Sequence, residues 1–424
     1  MSPIPRSLWT DTAAPKPDTL PLKGDARAAV AIIGAGYTGL SAALHLAQSG
    51  IDACVLETHE PGWGASGRNG GQVIPVHKYD PPELIDIFGA ESGRKLIDFI
   101  GTAPDLVFNL IEKHGITCDA VRKGWIQPAH NEPMIGTLKK RAEIWASYGA
   151  PIEFLDKAAV SERIGTSAYL WGWLDKRAGG VNPLGYSRGL ARAAMAAGAR
   201  IHGDTPVTRI SGREGSFEIH TPSGKVVAEK VVVATNGYTG DLIPQLRKTI
   251  IAPNSFQVAT KPLPSGVRQT ILPGGEVSSD SRRLLNYFRV DASGRLLMGG
   301  RGRFHEPSST ALFAHLERAA RRTFPQLGPL EFEYHWFGRV ALTQDYHPHI
   351  HIPQPGIVTA LGYIGRGVAL ATATGRALAQ YLAGAHADDL PYPVTPIKPI
   401  PFHQLKRIYL STVASYYRIR DAIG

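Results

Sequence analysis

Residues 28–57 read AAVAIIGAGYTGLSAALHLAQSGIDACVLE, and this stretch decides the fold. It begins with an apolar run, 28–33, followed by a glycine-rich turn and then by a segment rich in Ala and Leu that closes at Gly50. This order predicts a strand, a tight turn and a helix. A second apolar strand follows and ends at Glu57.

The glycines of the turn have the spacing of a dinucleotide-binding fold. Gly34 permits the tight turn, Gly36 lets the backbone approach a pyrophosphate, and Gly39 lets the helix pack against the strand. The helix N-terminus offers free N–H groups to phosphates, and Glu57, about 20 residues on, is placed to bind the ribose hydroxyls of an adenosine. The predicted contacts are Gly34, Ala35, Gly36, Tyr37, Thr38, Gly39, Glu57 and Thr58. The alternative is a glycine turn between strand and helix that binds no ligand.

A second glycine-rich loop follows the ribose-binding strand. Residues 61–72 read PGWGASGRNGGQ, with five glycines between 62 and 71. Such a segment can approach a ligand closely and present backbone donors in several directions, although a flexible surface loop is the alternative. The candidate contacts here are Gly64, Ala65, Ser66, Asn69, Gly70, Gly71 and Gln72.

Two further junctions lie late in the chain. Residues 231–240, VVVATNGYTG, predict a buried parallel strand that ends in small residues at the carboxyl edge of the sheet, where α/β folds bind ligands. Residues 362–368, GYIGRGV, predict a strand-to-helix turn that aims a second helix N-terminus at the ligand.

Composition limits the class of protein. The 424 residues are 43% hydrophobic and 19% charged, so a soluble globular protein with two domains is expected. Two cysteines, no zinc-ligand spacing and no signal peptide predict a cytoplasmic protein without disulfides or a metal. The net charge of +10 permits an anionic substrate, nucleic acid or an acidic membrane surface, but the basic residues are spread along the chain, so we expect no nucleic-acid binding. No apolar run is long enough to span a membrane, so we expect no transmembrane segment.

The two ends of the chain are predicted to lie outside the domains. Residues 1–24 contain five prolines and should form an extended arm, with Trp9 as its anchor. Residues 386–424 form a C-terminal segment in which 402–423 are an amphipathic basic helix. We expect this helix to pack on the body of the protein, and the alternative is peripheral contact with an anionic membrane.

The patterns between these ends predict an α/β fold with an α+β second domain. A Rossmann-like nucleotide domain comprises 25–78, 152–250 and 336–385, and a discontinuous substrate domain, 79–151 and 251–335, is built on a mainly antiparallel sheet. Pocket candidates chosen by position alone are Tyr287, Arg289, Trp336 and Arg339. Either arginine could hold a substrate carboxylate with two hydrogen bonds, whereas ordinary core and surface positions of a strand are the alternative.

Taken in order, GAGYTG, the distant acid, GASGRNGGQ, VVVATNGYT and GYIGRGV resemble the FAD-dependent D-amino-acid-oxidase superfamily over about residues 5–420. The resemblance is greatest to the branch of γ-glutamylputrescine oxidoreductase and L-pipecolate oxidase, near glycine and sarcosine oxidases. It implies an extended FAD whose adenosine lies on the first glycine turn. It further implies cofactor contacts from Gln72, Val207, Ala234, Thr235, Gly237, Gly365, Arg366, Gly367 and Val368.

The chain departs from the pattern of this superfamily at three places. Residues 336–345 lack the cysteine that links flavin covalently in sarcosine oxidases, and the GASGRNGG loop lacks the histidine that related dehydrogenases use. Non-covalent FAD is therefore expected. Ala369 stands near the position of the oxygen-activating lysine, which leaves the choice between oxidase and dehydrogenase open.

The resemblance implies oxidation of a primary or secondary amine to an imine, with hydride transfer to flavin N5 and reoxidation by O2. No residue is a clear catalytic base; Arg366 and Gln72 are the candidates beside the flavin. Two rivals stay open at this point: an NAD(P)-dependent dehydrogenase, which leaves the two later glycine-rich loops without a role, and a flavoprotein that binds FAD without catalysis.

Overall fold

We describe residues 4–406 of a computed structural model. The helices are α1 (Leu8–Thr12), α2 (Tyr37–Gln48), α3 (Pro81–Phe88), α4 (Ala90–Lys113), α5 (Glu132–Ser147), α6 (Lys157–Ile164), α7 (Pro183–Ala196), α8 (Ser265–Arg268), α9 (Ala314–Thr323) and α10 (Gly367–Leu382). The strands are β1 (Ala26–Ile33), β2 (Ala53–Leu56), β3 (Gln72–Val73), β4 (Trp125–Ala129), β5 (Ile152–Leu155), β6 (Trp171–Asp175), β7 (Gly179–Gly180), β8 (Arg200–His202), β9 (Arg209–Arg213), β10 (Ser216–Thr221), β11 (Gly224–Val233), β12 (Asn254–Thr260), β13 (Val277–Ser279), β14 (Tyr287–Val290), β15 (Leu296–Arg301), β16 (Phe332–Arg339), β17 (His349–Gln354) and β18 (Ile357–Leu361).

The first sheet is the predicted nucleotide-binding sheet. Its strand order is β17-β18-β11-β1-β2-β8, and the five strands from β18 to β8 are parallel. The antiparallel strands β9 and β10 extend it beside β11. Apolar residues cover both faces, with α2 and α10 packed together on one side. The α/β prediction is confirmed.

The second sheet is mainly antiparallel, as predicted. Its strand order is β16-β12-β15-β14-β13-β4-β6-β5, and only the pairing of β13 with β4 is parallel. Two domain limits differ from the prediction. Strands β5 and β6, placed by sequence in the nucleotide domain, belong to this sheet, where β6 pairs with β4 and β5 pairs with β6. All of β16 also belongs to it, although the limit was drawn at 336. Alternation of apolar residues identifies a strand but does not say which sheet it joins.

The N-terminal arm is partly helical rather than extended throughout. A capping box between Ser7 and Thr10 starts α1, because each residue satisfies the backbone N–H of the other. This turn buries Leu8 and Trp9, which confirms the anchoring role expected of Trp9. No helix in residues 4–406 is long and apolar enough to cross a membrane, and the amphipathic helix predicted at 402–423 lies almost wholly outside the described residues.

Candidate active site

The glycine turn between β1 and α2 has no room for side chains. Gly34 has a φ of +105°, which L side chains rarely adopt. A Cβ on Gly39 would lie 2.0 Å from the carbonyl oxygen of Gly34, and one on Gly36 would lie 3.0 Å from Ser66 Oγ. The helix can therefore begin directly against the strand, and the positive end of its dipole favours a phosphate at this turn.

Glu57 is fixed beside this turn by backbone donors. One carboxylate oxygen, Oε2, accepts from the N–H of Ala35 at 2.8 Å, and Oε1 accepts from the N–H of His59 at 3.0 Å. Burial raises the pKa of the carboxyl, and these backbone hydrogen bonds oppose the rise. Each oxygen keeps a second lone pair for a ribose hydroxyl. Thr58 follows as an exposed residue, and Val207 lies at the same end of the sheet, half-buried against the core.

The loop at 62–72 crosses from this turn to the second sheet. Ser66 Oγ accepts from the N–H of Tyr37 at 3.0 Å, which ties the loop to the first turn of α2. The Asn69 side chain is occupied within the loop: its amide nitrogen donates to the carbonyls of Ala65 and Ser66, and its Oδ1 accepts from the N–H of Gly71. Asn69 therefore shapes the loop with its side chain.

A cavity of about 380 Å³ opens between the two sheets at the end of this loop. It brings together many of the predicted residues from both domains: Tyr37, Ala65, Ser66, Asn69, Gly70, Gln72, Tyr287, Arg339, Gly365, Arg366, Gly367 and Val368. Ala234, Thr235 and Gly237 flank it at the end of β11, where Ala234 packs on Gly34 and Gly237 on Arg339. The first glycine turn and Glu57 lie beyond the cavity, which matches an extended ligand.

Two predicted pocket residues do not line this cavity. Arg289 is 5% exposed and its Nη1 donates to the carbonyls of Val181 at 2.8 Å and Gly71 at 3.3 Å. Trp336 is 2% exposed and its indole N–H donates to the carbonyl of Arg68 at 3.1 Å. Both side chains therefore support the glycine loop from behind. The structure brings neither side chain into the lining of this cavity, because a strand position does not reveal which buried neighbour its side chain meets.

Gln72 and Tyr287 line the cavity but are held by the protein. Gln72 Nε2 donates to the carbonyl of Ser278 at 2.9 Å, which leaves its Oε1 as the free acceptor. The Tyr287 hydroxyl is 2.9 Å from Ser255 Oγ, and burial raises its pKa. A Cβ on Gly70 would lie 2.7 Å from the Tyr287 ring, so this ring and the loop are in direct contact.

Arg366 caps α10 at the cavity. Its Nη1 donates to the carbonyl of Ile364 at 3.1 Å, while its buried Nε has no hydrogen-bond partner in the described part of the chain. Burial lowers the pKa of Arg366 to about 10, so the guanidinium is still charged at neutral pH. An unpartnered donor on a charged group at a helix N-terminus is suited to an electron-rich ligand.

Sequence reasoning missed several cavity residues. Arg68 lies within the quoted glycine loop, and its guanidinium is 4.2 Å from the centre of the Trp63 ring. Asn236 Oδ1 accepts from the N–H of Gly362 at 2.9 Å and joins the two late junctions. Arg283 and Arg301 come from the second sheet. The run Arg282-Arg283 beside a predicted strand was the only available indication of such residues.

Comparison with known proteins decides the family. The model of the FAD dependent oxidoreductase family, DAO, matches residues 29–381. This chain belongs to that family. It is 34% identical to a probable oxidoreductase OrdL of Rhizobium meliloti (strain 1021), over 91% of each chain. It is 31% identical to γ-glutamylputrescine oxidoreductase of Escherichia coli (strain K12), over 93% of each.

The fold agrees with a solved member of the same kind. Glycine oxidase from Geobacillus kaustophilus superposes with a TM-score of 0.74 and 22% identity, covering 89% of this chain and 99% of that one. The protein is therefore an FAD-dependent oxidoreductase. Membership of this family excludes the alternative that the chain is an NAD(P)-dependent dehydrogenase.

The residues present fit FAD. The anchored carboxylate of Glu57 would hold the adenosine ribose, and the space that a Cβ on Gly36 would fill would admit the diphosphate. At the cavity, the Nε of Arg366, which has no partner among the described residues, would face the electron-rich edge of the flavin. No cysteine or histidine lines the cavity among residues 4–406.

Proposed function

We propose that this enzyme oxidises a primary or secondary amine that carries a carboxylate, yielding the imine, with O2 as the final oxidant and H2O2 as product. The activities for which two similar proteins are named, γ-glutamylputrescine oxidoreductase and glycine oxidase, support an amine substrate. A γ-glutamylputrescine-like compound or a cyclic or N-substituted amino acid such as pipecolate fits both the carboxylate and the amine.

The charge of the cavity carries this proposal. Its described lining contains five arginines and no aspartate, glutamate or lysine. The arginines are Arg68, Arg283, Arg301, Arg339 and Arg366. A cavity with this sign attracts a carboxylate and disfavours a polycation that lacks one.

The arginines divide by position. Arg283 lies on the turn between β13 and β14, which Asp280 organises by accepting from the backbone N–H groups of Arg282 and Asn286. Arg339 lies at the end of β16 with its guanidinium 5.0 Å from the centre of the Tyr238 ring. These two residues are the candidates for the substrate carboxylate, since a guanidinium binds carboxylates with paired N–H donors.

The same charge prepares the amine for reaction. Only the free amine can lose a hydride, and nearby positive charge lowers the pKa of an ammonium group. The cavity therefore favours the reactive form without a dedicated carboxylate base. Bound FAD would supply the hydride acceptor of the reaction. Arg366 and the N-terminus of α10 would stabilise the negative charge that hydride transfer adds to it.

The enzyme could instead pass the electrons of the reduced flavin to an acceptor other than O2. No lysine lines the cavity among the described residues, and Ala369 is fully buried in α10 near the place expected for an oxygen-activating lysine. This observation favours a dehydrogenase that passes electrons to an acceptor other than O2.

One experiment tests the reaction class. The yellow holoprotein is mixed anaerobically with amines, 2-hydroxy acids and NADH while flavin absorbance is followed, and peroxide is measured after air is admitted. We expect bleaching by carboxylate-bearing amines and stoichiometric H2O2. Bleaching only by hydroxy acids or NADH contradicts the proposal. Bleaching by amines that persists in air, but reverses with an artificial acceptor, identifies the dehydrogenase.

The same sample tests the mode of FAD binding. We propose that the flavin is non-covalent, since no thiol or imidazole lines the cavity in the described part of the chain. Acid precipitation should leave the colour in the supernatant, and colour retained in the washed pellet would contradict it.

A further inference from the structure

The glycine loop at 62–72 is held through two consecutive backbone carbonyls, by Gln257 from the cavity lining and by two tryptophans from outside it. The carbonyl of Arg68 accepts from the side chains of Trp336 and Gln257. The carbonyl of Asn69 accepts from the indole N–H of Trp9 at 2.9 Å. Neither Trp9 nor Trp336 lines the cavity, whereas Asn69 and Gly70 do.

Because the carbonyl of Asn69 is held in place, the geometry of the peptide bond also sets the direction of the N–H of Gly70. No peptide bond in the described chain is cis, and in a trans peptide the C=O and the following N–H point in opposite directions. With the carbonyl of Asn69 held toward Trp9, the N–H of Gly70 points away from Trp9, and Gly70 itself lines the cavity. The hydrogen bonds of residues 4–406 include no partner for this N–H or for the N–H of Asn69.

Trp9 belongs to the N-terminal arm, which precedes both domains. The arm is fastened on several sides: Trp9 is 2% exposed, and its ring meets that of Trp336 edge to face at 5.9 Å. Asn182 Nδ2 donates to Thr12 Oγ1 at 3.1 Å, and the Tyr334 hydroxyl donates to Asp11 at 3.1 Å. The arm therefore joins the loop and the second sheet in one packed cluster.

We propose that the N-terminal arm contributes to FAD binding, and that Trp9 is a positioning residue for the peptide between Asn69 and Gly70. By holding the carbonyl of Asn69, the Trp9 indole fixes the 69–70 peptide so that Gly70 presents its N–H to the bound flavin. The inference depends on FAD binding and not on which amine is oxidised.

The competing explanation is that Trp9 only fills an apolar gap. A buried indole N–H requires an acceptor in any case, so burial alone does not separate the two explanations. They differ in what the N–H does: filling a gap needs the ring, whereas orienting the peptide needs the donor.

The test removes the donor and keeps the ring. Trp9 is replaced by the benzothiophene analogue of tryptophan, which has sulfur in place of the N–H, and in parallel by Trp9→Phe, both in the full-length chain. Trp145→Phe is the matched control, because Trp145 is 1% exposed and its indole donates to Asp80 at 3.0 Å. Flavin-free protein is titrated with FAD, and the visible spectrum of the bound flavin is recorded.

We expect both Trp9 variants to bind FAD roughly 3- to 10-fold more weakly, the effect of one neutral hydrogen bond, and to shift the visible bands of the bound flavin. Trp145→Phe should change neither quantity. A benzothiophene variant with wild-type FAD affinity and a superimposable flavin spectrum overturns the proposal, whether or not Trp9→Phe folds.

Discussion

The two ends of the FAD-dependent site differ in how they are built. At the nucleotide end, Gly34 and Gly39 approach each other through their backbones, and the carboxylate of Glu57 accepts from a backbone N–H, all within one strand-turn-helix-strand unit. At the cavity end, residues from β4, β12, β14 and β16 of the second sheet converge with the loop at 62–72. Local spacing therefore determines the first end, and side-chain direction across a distant sheet determines the second.

The largest effect on stability is expected from a substitution in the glycine turn between β1 and α2. In Gly39→Val the new side chain would begin 2.0 Å from the Gly34 carbonyl oxygen, a backbone atom that cannot move without lifting α2 from β1. We expect the free energy of unfolding to fall by about 3 kcal/mol or more, with loss of bound FAD. Thermal unfolding and flavin content measure both.

Gly136 provides the control for this substitution. It lies in helix α5, where a Cβ added to it would have no neighbour within 4 Å, so Gly136→Ala should keep FAD and raise stability by about 0.5–1 kcal/mol. Equal tolerance of both substitutions would show that the close approach of α2 to β1 is not required.

At the cavity end, Arg289 and Arg339 should respond differently to the same substitution, because Arg289 is buried behind the loop and Arg339 lines the cavity. Arg289→Met leaves the carbonyl of Val181 without its donor, removes one of the two donors to the carbonyl of Gly71, and should lower the free energy of unfolding by about 1–3 kcal/mol. Arg339→Met removes a side chain that lines the cavity, and should leave unfolding within about 0.5 kcal/mol of wild type while raising KM for the carboxylate substrate. Thermal unfolding and steady-state kinetics measure both effects. A stability loss in Arg339→Met together with a raised KM in Arg289→Met would contradict the roles given to the two arginines.

Arg366→Ala tests charge stabilisation at the flavin. The positive charge and unpartnered Nε of Arg366 should stabilise the charge formed during hydride transfer by about 2–3 kcal/mol, so its loss should slow anaerobic flavin reduction roughly 30- to 150-fold. Stopped-flow absorbance measures this rate at full flavin occupancy. Reduction at the wild-type rate would leave the α10 dipole as the only compensation.

Glu57→Gln returns to the nucleotide end. The fold should survive, because an amide oxygen can still accept from the N–H of Ala35, whereas the loss of a charged acceptor should weaken FAD binding by about 1.5–3 kcal/mol. Titration of the flavin-free protein measures the change. An unaltered dissociation constant would remove Glu57 from the ribose site.

The sequence predicted the first sheet, both glycine-rich loops and the turn before α10 because each depends on glycines and short-range spacing. It failed for β5 and β6, whose apolar pattern fits either sheet, and for Arg289 and Trp336, whose side chains point to the back of the loop. Arg68 was overlooked as a residue of the cavity lining because the sequence analysis considered its loop for the glycines and not for the direction of its side chains. None of these three side-chain directions has a periodic pattern in the sequence.

We propose that the arginines of the cavity select amines that carry a carboxylate. The decisive experiment compares the rate of anaerobic flavin reduction within two matched pairs, pipecolate against piperidine and γ-glutamylputrescine against N-acetylputrescine. In the pair that contains the substrate, we expect the carboxylate-bearing amine to react roughly 10- to 150-fold more efficiently, the contribution of one charge-assisted interaction. Equal or faster reduction by the carboxylate-free member would contradict it.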